Sequence, residues 1–149
     1  MAEALFYHLE HFPLERVLPN LLEKTLERSW RAIVRAGTQE RLDALDLHLW
    51  TYREDSFLPH GSSKEGHTEA QPIYLTLGHE NPNGATILFL VDGADFDAPD
   101  GFERIVYLFD GRDEQALATA RTGWKQAKAS GRAVTYWQQE QAGRWIKRA

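Results

Sequence analysis

Apolar residues occur along the chain in short continuous runs that alternate with segments of helical spacing. A continuous apolar run without polar alternation is typical of a strand that is buried on both faces of a sheet. Such runs predict strands at residues 4–9, 30–36, 72–77, 86–91 and 104–109. Residues 133–138 and 144–147 predict a final strand or hairpin.

Three segments between these strands have the spacing of amphipathic helices. The first follows Pro13, with Leu18, Leu22 and Leu26 on one face, and Pro19 is best accommodated near its start. The second spans residues 39–50 after a cap at Thr38. The third spans residues 114–130, where Asp113 can cap the start and Gly131 can close the end.

The order of these elements predicts an α/β fold, with a three-layer α/β/α arrangement of residues 1–149 as a single domain and helices on both faces of a mixed, mostly parallel sheet. The link at residues 78–85 is too short for a helical crossover, so we expect the strands on either side of it to pair antiparallel. Residues 52–71 have no convincing period and predict a long loop.

Composition narrows the functional classes. The chain has no cysteine, which excludes disulfides, thiolate metal sites and cysteine nucleophiles, and a reducing, cytoplasmic location is compatible with this. No apolar run approaches the roughly 20 residues that cross a bilayer, and we expect no membrane association and no secretory signal.

The net charge of −5 conceals an uneven distribution. From residue 121 onward there are seven basic residues against one acid, a net charge of +6, which leaves −11 for the first 120 residues. A basic end on an acidic body suits an acidic partner, or it is simply a solvated surface.

Sequence motifs of catalysis are absent, and we predict no catalytic residue, no cofactor and no metal. Neither a phosphate-binding glycine loop, a GxSxG elbow nor an HExxH pair is present. Asp95, Asp97, Asp100 and Gly101 lack the ligand pattern of a calcium loop.

Two weaker catalytic alternatives lie in the long loop. Glu54 and Asp55 have no identifiable partner that would make either a general base. His60 and His67, close in sequence to Asp55, are the components that a small metal-dependent hydrolase would need, but solvated loop histidines are the simpler interpretation.

The third predicted helix has the most informative surface. At 100° per residue, an apolar arc runs directly into a basic arc formed by Arg121, Lys125 and Lys128, with Trp124 at the border. Such a surface suits an acidic peptide that ends in a hydrophobic residue. It also suits phosphates with a stacked base, and the same pattern is expected of a helix whose lysines are solvated and whose Trp124 belongs to the core.

Trp50, Phe57 and Pro59 form a second candidate surface where the second helix meets the long loop. Aromatic residues at such a junction either anchor the loop by packing or form an exposed protein-binding patch.

Three segments, LERSWRAIVRAG, LDLHLWTYREDSFLPHG and ARTGWKQAKASG, together with the opening strand ALFYHLE, resemble the chi subunit family of bacterial DNA polymerase III in the family's order, over nearly the whole chain. The resemblance implies a three-layer α/β fold without catalytic activity, in the clamp-loader part of the polymerase. It also implies two partners: the acidic, hydrophobic-ended tail of single-stranded DNA-binding protein, and the psi subunit.

Carried over to this sequence, the tail-binding residues of the family match at Arg121, at Trp124 where a tyrosine is usual, and at Lys125. Trp50, Phe57 and Pro59 match the family's surface around the psi contact. Two positions depart from the family pattern. Leu117 stands where a basic residue of the tail pocket is usual, and the C-terminus extends beyond the usual end, adding the bases Arg144, Lys147 and Arg148.

The sequence therefore predicts a non-enzymatic adaptor. Arg121, Trp124, Lys125 and Lys128 would bind the tail of single-stranded DNA-binding protein, and Trp50, Phe57 and Pro59 would bind a clamp-loader subunit, either psi or an equivalent. DNA would be contacted only indirectly. The alternative is a module that binds single-stranded nucleic acid directly through Trp124, Trp137 and the basic end.

Overall fold

A computed structural model describes residues 3–51, 60–62, 68–94, 102–142 and 144–148. Its three α-helices are α1 (Leu14–Glu27), α2 (Gln39–Thr51) and α3 (Glu114–Ala129), and a short 3-10 helix spans Thr68–Ala70. Its strands are β1 (Glu3–Leu9), β2 (Ala32–Arg35), β3 (His60–Gly61), β4 (Ile73–Thr76), β5 (Ile87–Leu90), β6 (Arg104–Asp110), β7 (Val134–Gln139) and β8 (Trp145–Lys147). Every predicted strand and helix is thus present within one or two residues of its expected ends.

The eight strands form one sheet in the order β3-β4-β2-β5-β6-β1-β7-β8. All neighbours are parallel except β7 and β8, which form an antiparallel hairpin. The prediction of a mixed, mostly parallel sheet is confirmed.

The predicted antiparallel pairing of the strands around residues 78–85 is wrong. Strands β4 and β5 both pair parallel with β2, one on each side of it, so the link between them passes β2 and no direct pairing forms. The antiparallel component of the sheet comes from the C-terminal hairpin instead.

Helices cover both faces of the sheet, as predicted. On one face α1 and α2 pack Leu18, Leu22, Leu45 and Leu49 against alternate strand residues. On the other face α3 packs its small residues Ala120 and Ala127 against a second cluster. Because both faces are covered, the central strand β2 is buried at all four positions.

Helix α1 begins five residues before Pro19, so the expectation that Pro19 lies near a helix start is wrong. Pro19 is the sixth residue of the helix and is buried, in the face that packs on the sheet. None of the described helices is long and apolar enough to cross a membrane.

Candidate protein-binding groove between helix α3 and the C-terminal hairpin

Helix α3 has the surface that its sequence predicts. Asp113 caps its start, accepting hydrogen bonds from the backbone N–H groups of Gln115 (3.0 Å) and Ala116 (3.3 Å). Its buried residues are Ala120, Gly123 and Ala127, all small, which brings the helix close to the sheet. Its basic side chains, Arg121, Lys125 and Lys128, are exposed.

Trp124 lies at the border between the two arcs and is half-buried. Its ring meets the rings of Phe6 and Tyr136 edge-on, with centroids 5.4 and 5.7 Å away. The ammonium of Lys128 lies 5.2 Å from the ring centroid, a cation–π contact. The two interpretations of this tryptophan are therefore compatible, because the same ring packs on the core and borders the basic surface.

A groove of about 470 Å³ runs along this border. The wall contributed by α3 contains Leu117, Ala120, Arg121 and Trp124. Two of the four residues predicted to bind the tail, Arg121 and Trp124, thus line one groove. Lys125 and Lys128 are exposed on the same helix but do not line it.

The opposite wall of the groove comes from the sheet, and sequence reasoning did not predict it. It consists of His8 on β1, Tyr136 and Gln138 on β7, and Arg148 just after β8. Parallel pairing of β1 with β7 sets His8 opposite Gln138, although they are 130 residues apart in sequence. No pattern of neighbouring residues in the sequence predicts a contact between strands so far apart in the chain.

The polar groups of this wall are held by a continuous set of hydrogen bonds. Tyr136 Oη lies 2.6 Å from His8 Nδ1, and the Glu10 carboxylate lies 3.1 Å from His8 Nε2. Glu10 also accepts a 2.6 Å hydrogen bond from the amide of Gln138. Gly111 borders His8 so closely that a Cβ there would overlap the imidazole ring and displace it from these hydrogen bonds.

Burial lowers the pKa of His8, and this effect outweighs the carboxylates of Glu10 and Asp110, which raise it. A neutral ring with its proton on Nε2 donates to Glu10 and accepts from the Tyr136 hydroxyl at Nδ1. Burial raises the pKa of Tyr136, with nearby Arg121 acting in the opposite direction. The His8 and Tyr136 side chains are therefore neutral and held in place by hydrogen bonds, and the positive charge of the groove comes from Arg121 and Arg148.

The cations of the groove have little competition from the protein's own acids. Within the described parts of the chain, Arg121 has no ion pair, and the side chain of Arg148 is engaged only through Nε, which donates to Gln138 Oε1 at 3.1 Å. Their remaining N–H groups are available to an acidic ligand, and Leu117 and Trp124 supply apolar surface in the same groove.

Of the second candidate surface, formed by Trp50, Phe57 and Pro59, the structure describes only Trp50. Trp50 lies in the last turn of α2 and is 45% exposed, with its ring centroid 4.3 Å from that of His60. Phe57 and Pro59 lie outside the described residues. Leu47, 66% exposed, lies one turn before Trp50 on the same side of α2, and sequence reasoning missed it. Its position outside the buried Leu42, Leu45 and Leu49 set is the signal that would have identified it.

The interpretation of His60 as a solvated loop histidine is wrong. Its side chain is fully buried, its ring lies 3.0 Å from the Asp46 carboxylate, and His60 and Gly61 form strand β3 beside β4. The other candidate residues of the long loop, Glu54, Asp55 and His67, lie outside the described residues, as do Asp95, Asp97, Asp100 and Gly101. The described ranges contain no cluster of three or more His, Asp or Glu that could hold a metal ion.

The sequence of this chain is similar to known proteins of one family. The sequence matches the profile of the family described as "DNA polymerase III chi subunit, HolC" over residues 1–135. A protein of Rickettsia prowazekii (strain Madrid E) named "Probable DNA polymerase III subunit chi" is 28% identical over 95 residues, which cover 64% of this chain and 58% of that relative. The chain thus spans less than two thirds of that relative's length, whereas the family profile covers most of the chain. The chain belongs to the chi subunit family of DNA polymerase III.

Proposed function

We propose that this protein is a non-catalytic accessory subunit of the replicative DNA polymerase III in the bacterial cytoplasm. In this proposal the groove beside α3 binds the acidic, hydrophobic-ended tail of single-stranded DNA-binding protein. The protein requires no cofactor, and it reaches DNA only through the protein that coats it.

The observation that carries this proposal is the composition of the groove. Arg121 offers a guanidinium without an ion pair to other described residues, and Trp124 and Leu117 offer apolar surface beside it. Guanidinium groups bind carboxylates through charge-assisted hydrogen bonds, and the tryptophan ring supports an apolar terminal side chain. Lys125 and Lys128, exposed on the same helix, add positive potential at the rim.

A second surface would join the protein to the clamp loader. Leu47 and Trp50 expose adjacent apolar side chains on α2, and Phe57 and Pro59 follow them in sequence. Exposed apolar side chains in one patch are typical of protein interfaces, and tryptophan is enriched among the residues that dominate binding energy. We assign this patch to psi or an equivalent clamp-loader subunit.

With both surfaces occupied, the protein acts as a tether. The patch on α2 and the groove beside α3 use different helices, which pack on opposite faces of the sheet. One partner therefore does not need to displace the other. A modest affinity for each tail is sufficient when many tails are displayed along coated DNA, because a released tail is replaced by a neighbour at high local concentration.

The test is calorimetric titration with an acidic peptide that ends in phenylalanine. We expect Arg121→Ala to weaken binding at least about tenfold, because a hydrogen-bonded charged contact contributes on the order of 1.5–3 kcal/mol. Binding should also weaken as salt rises, because the exposed cations are screened. The matched control is Arg112→Ala, an exposed arginine that precedes α3, forms an ion pair with Asp110 at 3.2 Å and lies outside the groove. Equal affinity of wild type and Arg121→Ala would contradict the proposal.

A further inference from the structure

The C-terminal hairpin contributes a cation to the groove that the family match does not include. We infer that Arg148 is a second anion-binding side chain of the groove and that it contacts a carboxylate of an acidic peptide from the side opposite Arg121. This inference rests on the proposed function of the groove. The match to the family profile ends at residue 135, thirteen residues before Arg148.

The backbone holds residue 148 beside the groove. Strand β8 pairs antiparallel with β7, with Trp137 opposite Lys147 and Gln139 opposite Trp145. Beyond the end of β8, the N–H of Arg148 donates to the carbonyl of Tyr136 at 2.8 Å, which continues the pairing by one more residue. Because Tyr136 itself lines the groove, this hydrogen bond fixes the Arg148 backbone at its edge.

The side chain of Arg148 is oriented by a chain of two hydrogen bonds. The amide N–H of Gln138 donates to Glu10 at 2.6 Å, which fixes which way the amide points. Its oxygen then accepts from Arg148 Nε at 3.1 Å. This contact leaves the two terminal Nη groups, whose N–H donors form the end-on pair that binds a carboxylate with two parallel hydrogen bonds.

The two arginines face the groove from different elements. Arg121 belongs to α3 and Arg148 follows β8, so a peptide seated between the helix wall and the strand wall meets a guanidinium on each side. Two cations from different elements favour an acidic chain over a neutral one. The apolar residues Leu117 and Trp124, which line the same groove, favour an apolar side chain in the same ligand. The two walls together therefore suit the same ligand as α3 alone, an acidic peptide with an apolar side chain, and Arg148 adds a second contact to its carboxylates.

The hairpin itself supplies a matched control. Arg144 is an arginine four positions earlier, its side chain is 83% exposed, and it pairs with Glu140 at 3.0 Å rather than lining the groove. Replacing Arg144 or Arg148 by alanine changes the net charge by the same amount. A difference between the two variants therefore reports position and not overall charge.

The experiment measures fluorescence anisotropy of a labelled acidic peptide ending in phenylalanine with full-length wild type, Arg148→Ala, Arg144→Ala and Arg121→Ala. We expect Arg148→Ala to weaken binding about tenfold, as for loss of one charge-assisted contact, and Arg144→Ala less than about twofold. A peptide with its acidic residues replaced by their amides should bind weakly and should not distinguish Arg148→Ala from wild type. Thermal unfolding of each variant verifies that the hairpin remains folded.

The outcomes separate this inference from the proposed function. If wild type binds the peptide and Arg121→Ala binds it at least about tenfold more weakly, but Arg148→Ala binds like Arg144→Ala, the role of Arg148 is overturned and the tail-binding function stands. If Arg148→Ala loses equal affinity for the acidic and the amide peptide, the charge contact is also overturned. If wild type fails to bind the acidic peptide, both are overturned.

Discussion

The side chain of Gln139 connects the end of β7 to the loop between β1 and α1 by hydrogen bonds. It is 2% exposed, and its side-chain oxygen accepts hydrogen bonds from three successive backbone N–H groups, those of Glu10, His11 and Phe12, at 3.2, 2.9 and 2.8 Å. Its amide nitrogen has no hydrogen-bond partner within the described residues. The position therefore requires an acceptor and makes no use of the donor.

We expect Gln139→Leu to lower the free energy of unfolding by about 2–3 kcal/mol, because it leaves three partly buried backbone donors without their acceptor. Gln139→Glu should retain most of the stability at neutral pH, since a carboxylate accepts the same three hydrogen bonds, and such bonds stabilise its charged form. Urea denaturation of the two variants and wild type measures the difference. A leucine variant as stable as wild type would show that the loop finds other acceptors.

Single residues also show where sequence reasoning stops. Trp124 and Arg121 were identifiable because helical periodicity places them without knowledge of the rest of the fold. Arg35 was not: it lies in an apolar run, yet it is 1% exposed and donates to the carbonyl of Gly78 at 2.8 Å. Arg148 and His8 became part of the groove only through pairings of distant strands.

At the scale of elements, α1 contains a proline in its interior, and a side chain of α2 supplies the hydrogen-bond donor that the proline lacks. Pro19 has no N–H to donate to the carbonyl of Glu15, four residues earlier. The imidazole Nε2 of His48 on α2 hydrogen-bonds to that carbonyl instead. Because a carbonyl can only accept, His48 carries a proton on Nε2, and this contact joins the two helices that cover one face of the sheet.

A double-mutant cycle tests this substitution of donors. His48→Leu should lower the free energy of unfolding by about 1 kcal/mol, because the Glu15 carbonyl loses its partner. In a Pro19→Ala background the same change should cost less than half as much, since an alanine at that position supplies the normal helical N–H. Chemical denaturation of the four proteins gives the coupling. An equal cost in both backgrounds would mean that His48 contributes through packing alone.

Elements were predicted better than their pairing. The strands at Ile73–Thr76 and Ile87–Leu90 were identifiable from continuous apolar runs, because burial on both faces leaves that signature. The arrangement of these two strands on either side of β2 was not identifiable. The length of the link at residues 78–85 permits a hairpin and does not show that β2 lies between the two strands. Strand β3 has two residues, too few for a periodic pattern, and its pairing with β4 is visible only in three dimensions.

Across the whole molecule, the two tryptophans that direct binding of single-stranded nucleic acid would use lie on opposite faces of the sheet. Val134 and Tyr136 pack on the α3 side of the sheet. Because strand residues alternate, Trp137 lies on the other side, where its ring stacks near Tyr7 with centroids 6.5 Å apart. Trp124 and Trp137 therefore do not form one stacking platform, which direct binding through both rings would require.

The distribution of net charge predicts that the protein binds an acidic peptide in preference to single-stranded DNA. Residues 121–149 carry +6 and the first 120 residues carry −11, so a long polyanion that leaves the basic end meets a repulsive body, whereas a short acidic peptide can remain within the groove. We expect an oligodeoxythymidylate of about 30 nucleotides to show no saturable binding at about 150 mM salt, where phosphate-led binding is weak, at protein concentrations that saturate the acidic peptide.

Anisotropy titrations of both labelled ligands over a range of salt concentrations measure this preference, with Trp137→Ala as the variant that separates the two modes. Loss of the Trp137 ring should leave peptide binding unchanged, because the ring lies on the face opposite the groove. Tighter binding of the oligonucleotide than of the peptide, with a logarithmic salt slope of about −0.7 per phosphate contacted and a loss in Trp137→Ala, would instead make the protein a direct nucleic-acid binder.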